Sequence, residues 1–357
     1  MAEGWADHPG GRHHGAHSGL ASRSMPTANR FLDFSQNVNP LGPPDGVLDA
    51  ARNAVTDESG GYPDLGYPEL RDALARYFGV SAETVLPTNG GAEALFLAAR
   101  AASENPGRKA VVLEPTFSEY ATAARTAGLE PVHRISRRPE DDFAFDVGVL
   151  EDLEDVAAVF LCNPNNPTGD ALSRDEVMRV ASTVRGAGAT LILDEAFADF
   201  IPGVSVADGV EGQLCVARSL TKFFAIPGLR LGCLISTRTE LAQSFQPSWP
   251  VNAPAAAAGT AAARDFEFVE RSIATVGRLR EDLAQSLGAL PGIKVFPGAA
   301  NFLLVRGPER MPGKLARRGI LVRGCEPFRG LGPEFFRVAV RGEEENGRLI
   351  EALREEL

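Results

Sequence analysis

Cysteine is scarce. The 357 residues hold four, Cys162, Cys215, Cys233 and Cys325, and none stands in Cys-x-x-Cys spacing. A chain this long does not need stapling, so the four read as reduced, buried thiols rather than a disulfide framework. No metal is expected. Nor does any apolar run approach the about 18 to 20 residues of a membrane span, and no charged-then-apolar leader opens the sequence. Membrane and secreted classes therefore fall away, and a cytoplasmic protein is expected. Positive charge is also short, with 36 Lys and Arg against 47 Asp and Glu, a net charge of −11. Nucleic acid and anionic membranes would repel such a chain, so neither is an expected partner. A local basic pocket for a phosphorylated metabolite is compatible with that balance. Repeats and low-complexity tracts are absent.

What remains is a globular chain, 44% hydrophobic, of a length that suits a large domain plus a smaller one. The first 30 residues are polar and rich in Gly and His, which predicts an irregular arm. Beyond them helical and strand patterns alternate. Residues 68–79 place Leu70, Leu74 and Phe78 at helical spacing. The runs 110–113, 157–162 and 189–193 are almost wholly apolar, as in strands buried on both faces. Ser173 and Glu176 form a capping-box signature for a helix ending near Gly186. Strands are predicted again at 214–217 and 231–236, a long helix over 265–287, and short strands at 293–296, 302–305 and 336–340 before a charged C-terminal helix. This order predicts an α/β fold with a mostly parallel central sheet and helices on both faces.

Four segments carry chemistry. Lys222 follows a predicted buried strand in the otherwise apolar stretch SLTKFFAIPGLRLG. Desolvation there disfavours the ammonium form and readies the amine for imine formation, although a strand-end lysine could simply snorkel to solvent. Ser219, Thr221 and Arg230 around it offer hydroxyl and guanidinium donors of the kind a phosphate needs. Asp194 closes the strand LILD, and ligands of open α/β sheets bind outside the carboxyl ends of strands. A carboxylate there calls for a cationic partner such as a protonated pyridine nitrogen, or else it caps a helix. The turn Asn163 to Gly169, with Asn166, can aim an amide at a ligand oxygen or be an ordinary turn. Gly90, Gly91 and Ala92 open an apolar helix whose first N–H groups could hold an anion.

Taken together, NPNNPTG, DEAF, SLTKFFAIPGLRLG and FFRVAV stand in the order found in fold-type I enzymes that use pyridoxal 5′-phosphate (PLP). From about Asp33 onward the sequence resembles the class I/II aminotransferase superfamily. That resemblance implies an aspartate-aminotransferase-like fold: an arm over 1–32, a large PLP-binding domain over 33–250 and a small C-terminal α/β domain over 251–357. It implies Lys222 as the Schiff-base lysine and proton shuttle, and Asp194 on the pyridine nitrogen. Asn166 would bond the ring hydroxyl and Phe117 stack on the ring. Gly90, Gly91, Ala92, Ser219, Thr221 and Arg230 would cradle the phosphate, Tyr62 would reach the neighbouring subunit's phosphate in a homodimer, and Arg337 would clamp the substrate α-carboxylate.

One position departs from the aminotransferase pattern. Three residues after Asp194, where those enzymes usually carry Tyr, stands Phe197. In this the sequence resembles the threonine-phosphate decarboxylases of cobalamin biosynthesis, as it does in LDFSQNVNPLGPP, whose Asn39 is expected to contact the substrate, and in FFRVAVRGEEEN. That family carries an N-terminal His-Gly-Gly element near the substrate phosphate, matched here by His14 and Gly15, with Ala16 departing. Arg337 and Arg341, four apart in a predicted strand, would share a face, and Arg323 could converge on them. Three arginines exceed what one carboxylate needs, which favours a phosphorylated amino acid as substrate. The expected reaction is decarboxylation of O-phospho-L-threonine to aminopropanol phosphate. The alternatives are a histidinol-phosphate-type aminotransferase, or a relative acting on another phosphorylated or phosphonate amino acid. A ligand-sensing DNA-binding regulator would need a basic domain that about 30 irregular residues do not supply.

Overall fold

The structure, a computed structural model, describes residues 31–58 and 60–357. The arm, with His14 and Gly15, lies outside the described residues. Eight strands come first along the chain: β1 (Leu32–Asp33), β2 (Val85–Thr88), β3 (Lys109–Glu114), β4 (Glu130–Ile135), β5 (Val156–Cys162), β6 (Thr190–Asp194), β7 (Leu214–Ser219) and β8 (Gly232–Ser236). Seven of them form one sheet in the order β2-β8-β7-β6-β5-β3-β4, parallel except for β8, which runs antiparallel to both β2 and β7. Every residue of β5, β6, β7 and β8 is buried, which explains the apolar runs 156–162, 191–193, 214–217 and 233–235 within them.

The two edges differ from the centre. Both β2 and β4 contain a proline, Pro87 and Pro131, tolerated because an edge strand leaves one side of its backbone unpaired. β4 is only half-buried and carries His133 and Arg134. On the faces, the helix Arg174–Gly186 begins in the expected capping box: Ser173 Oγ accepts from Glu176 N–H at 3.4 Å, and Glu176 Oε2 accepts from Ser173 N–H at 2.8 Å.

The C-terminal region adds β9 (Lys294–Val295), β10 (Phe302–Arg306), β11 (Ile320–Leu321), β12 (Arg323–Gly324) and β13 (Phe335–Ala339). The antiparallel sheet β12-β13-β10-β9 packs beside the long helix Phe266–Gly288. β1 pairs in parallel with β11, and Phe34 C=O accepts from Ala339 N–H at 2.9 Å, so the first described residues lie against the last sheet. The alanine-rich helix Ala253–Ala262 packs on the helices Asp45–Asp57 and Pro68–Phe78 instead. Strand β13 ends at Ala339, two residues before Arg341, so the shared-face argument for Arg337 and Arg341 fails.

Candidate active site

Register gathers the first part of the site. Gly232 at the start of β8 lies opposite Thr88 at the end of β2 and opposite Ser219 at the end of β7. The turn after β2, the turn after β7 and the approach to β8 therefore meet at one end of the strands. Space there is tight: a Cβ on Gly232 would come within 2.5 Å of Gly91 N. Gly90 has φ +77°, and a Cβ on it would lie 2.5 Å from Arg230 Nη2. Only glycine lets the guanidinium stand over the first turn of the helix Gly90–Ala102, whose Asn89 makes no side-chain cap. Arg230 itself holds a positive φ of +63°, an unfavourable geometry for a side-chain-bearing residue. The Ser219 and Thr221 hydroxyls lie 2.8 Å apart at the same end. Uncapped N–H groups, two hydroxyls and a guanidinium form a phosphate-sized cradle.

Lys222 stands in the single helical turn Leu220–Phe223 directly after β7. Burial, followed by the charges of Arg230 and Arg337, pushes its amine down from 10.5 to about 8, while Asp194 pulls the other way. Asn39, expected near the substrate, has a different place. Its Nδ2 donates to Phe223 C=O at 2.8 Å and to Ser272 Oγ at 2.9 Å, and its N–H donates to Lys222 C=O at 3.0 Å. It braces the lysine turn from behind.

Asp194 ends β6, buried, opposite Cys162 in the β5–β6 register. Burial raises its carboxyl above the usual range; a hydrogen bond from Tyr120 works against that most strongly. The Tyr120 hydroxyl donates to Oδ2 at 2.7 Å, and Ala196 N–H donates to Oδ1 at 2.9 Å. Tyr120 is wholly buried, stacked on Phe160 and edge-on to Phe117 with centroids 5.7 Å apart. No sequence signal tied it to Asp194, 74 positions away.

Arg337 on β13 is buried, its Nη1 on Asn166 Oδ1 and its Nη2 donating to Ser35 C=O at 2.9 Å. Its Nε has no partner among the described residues. Burial and the neighbouring Arg323 lower it to about 10. Arg323 lies directly opposite Arg337 in the β12–β13 register, also buried. The Asn37 carboxamide, which sequence reasoning passed over, is buried two residues from Ser35 with no partner on either atom among the described residues. Arg341 is turned away, its Nη2 donating to Glu345 at 3.0 Å. Phe197 packs edge-on to Phe302, centroids 5.0 Å apart, and Phe302 lies 5.2 Å from the Arg337 guanidinium. Tyr62 is 80% exposed, stacked on Trp249.

An amine that is half neutral near pH 8, a cradle that a Cβ would fill and a buried carboxylate with lone pairs to spare fit the groups of PLP. Comparison with known proteins agrees. The family model for class I and II aminotransferases matches residues 29–353. Threonine-phosphate decarboxylase of Salmonella typhimurium is 40% identical over 339 residues, 91% of each chain. Histidinol-phosphate aminotransferase of Maricaulis maris is 34% identical over 349 residues, 93% of each. The solved histidinol-phosphate aminotransferase of Clostridium acetobutylicum superposes with a TM-score of 0.83 at 28% identity, over 90% of this chain and 98% of that one.

Proposed function

The chain belongs to the class I and II aminotransferase family and is a PLP-dependent enzyme of the aspartate-aminotransferase fold, and from that premise we propose that it decarboxylates O-phospho-L-threonine to aminopropanol phosphate. The observation that carries this reading is the cross-strand pair Arg323 and Arg337. Two buried guanidinium groups placed opposite one another present a double cationic surface suited to anionic groups of a substrate. A single α-carboxylate takes about one bidentate arginine. A substrate with a second anionic group uses both, and the relative at 40% identity is named for such a substrate.

PLP, when bound, supplies the electron sink into which a bond at the substrate α-carbon breaks. The chain's residues do the rest. Gly90, Gly91, Ala92, Ser219, Thr221 and Arg230 would hold the phosphate, Phe117 would pack on the ring face, and Asn166 would meet the ring oxygen. Asp194 would pair with the protonated pyridine nitrogen. Arg337 takes one anionic group of the substrate and Arg323 the other. Which bond at the α-carbon breaks would depend on how Arg337 and Arg323 orient the substrate. In a decarboxylation Lys222 would return a proton to the α-carbon that CO₂ leaves. A homodimer completes the reading, with Tyr62 reaching the partner's phosphate.

The 34% identity to a histidinol-phosphate aminotransferase favours a second reading, amino transfer from a phosphorylated substrate. Product analysis separates them. Incubation with O-phospho-L-threonine should release CO₂ and aminopropanol phosphate. Appearance of an amino acid from an added 2-oxo acid, without CO₂, would decide for the transaminase.

A further inference from the structure

Behind Asp194 lies a second layer whose role is electrical. We infer that Tyr120 is a positioning residue that keeps the shared proton on the cofactor's ring nitrogen rather than on Asp194. The inference rests on the PLP reading above.

A carboxylate facing a pyridine nitrogen in a dry site has two ways to hold one proton between them. Either the pair is ionic, Asp194 carboxylate against ring N–H⁺, or it is neutral, carboxylic acid against bare nitrogen. Burial favours the neutral pair, because both charges lose their hydration. The electron sink needs the ionic one. Something must stabilise the carboxylate by enough to reverse the preference, and it must do so from the side away from the ring.

The structure shows two donors on Asp194. Ala196 N–H on Oδ1 at 2.9 Å belongs to the turn after β6 and cannot be tuned by a side chain. The Tyr120 hydroxyl on Oδ2 at 2.7 Å is the only side-chain hydroxyl bonded to it among the described residues. A bond from a neutral donor to an anion is stronger than one to a neutral acid, so it favours the ionised form selectively. Tyr120 can do this reliably because it has little freedom to leave. Its ring is wholly buried, stacked on Phe160 with centroids 5.3 Å apart and edge-on to Phe117. Water does not compete for the hydroxyl. Burial holds the phenol itself well above its usual range, so it stays a donor. A second neighbouring acid behaves compatibly: Cys162, opposite Asp194 on β5, is pushed up by burial and remains a neutral thiol. A thiolate there would repel the carboxylate and undo the arrangement.

The test uses the holoenzyme reconstituted with PLP carrying ¹⁵N in the ring, whose nitrogen resonance reports the proton directly. In the wild type the resonance should be that of a protonated ring. Tyr120→Phe keeps the ring and removes only the hydroxyl. Its resonance should move toward the unprotonated position, and kcat should fall about ten- to hundredfold with KM within about twofold, the scale of one hydrogen bond to a charged group. Phe160→Leu loosens the stack but keeps the donor and should move the resonance the same way by a smaller amount. Should Tyr120→Phe not fold, 3-fluorotyrosine at position 120 keeps ring and hydroxyl and strengthens the donor; the protonated resonance should persist. A Tyr120→Phe resonance identical to wild type overturns the inference. So does a Phe160→Leu shift equal to that of Tyr120→Phe, or loss of ring protonation with fluorotyrosine. A wild type that takes up no PLP would instead sink the PLP reading itself, so the two failures are distinct.

Discussion

Lys222 owes its chemistry to a neighbourhood rather than to itself. An amine attacks an aldehyde only when neutral, and an ordinary lysine at pH 8 is almost entirely charged. Burial is the first cause of the shift here and the cations Arg230 and Arg337 the next, which together bring the group to about 8. The sign follows. Below that pH the protonated amine is unreactive, and the rate of covalent PLP uptake by the cofactor-free chain should climb as pH rises through about 8, then level. Removing a nearby cation relieves repulsion of the ammonium form, so Arg230→Gln should move the inflection upward. Both are read from growth of the visible absorbance band against pH, with Lys222→Ala showing no band that borohydride can fix. An inflection near 10.5 in the wild type would mean the amine is not desolvated.

At the scale of elements, pairing decides what single residues can do. Arg323 and Arg337 become partners only because β12 and β13 align them. Breaking one partner of a buried charge pair costs about 2 to 5 kcal/mol, which is about thirtyfold or more in kcat/KM. Arg337→Gln should weaken O-phospho-L-threonine and L-threonine alike, and Arg323→Gln should harm the phosphorylated substrate selectively. Equal losses on both substrates from Arg323→Gln would assign the second anion elsewhere. The same scale explains what the sequence could disclose. β5, β6 and β7 stood out because burial on both faces leaves apolar residues no alternation to hide in. β2 and β4 escaped notice because edge strands tolerate Pro87, Pro131 and polar side chains. Arg341 was misplaced because spacing shows neither where a strand stops nor that Glu345 waits beyond it. The strand-end positions of Lys222, Asp194 and Asn166 were legible because each ends or follows a strand that was. Tyr120, Asn37 and the bracing role of Asn39 were not, since each depends on contacts between segments far apart in the chain.

At the scale of the molecule, one face of the described chain looks unfinished. Tyr62 and Leu65 are 80% and 75% exposed, Trp249 is 41% exposed, and Tyr62 stacks on Trp249 with ring centroids 4.3 Å apart. Tyr62 also lines a cleft of about 680 Å³. One wall is the helix Ala253–Ala262, whose sequence APAAAAGTAA is apolar nearly all round. A helix without a polar face is normally covered on every side, and here Ala256, Ala257 and Ala261 stay partly open to the cleft. Large apolar groups clustered at one place on a soluble chain mark an interaction surface. A second copy is the occupant that also gives Tyr62 work, because its exposed phenol has no hydrogen-bond partner among the described residues. Sedimentation should therefore return twice the chain mass of 37.9 kDa. Ala257→Arg, which sets a charge in the cleft, should shift the protein toward monomer and lower activity with it, restored in part at high protein concentration. Tyr62→Phe should stay dimeric yet hold PLP more weakly, since it removes only the hydroxyl proposed to cross to the partner's phosphate. A fully active monomer would show that each chain completes its own site, and Tyr62 would then be a surface residue kept in place by Trp249.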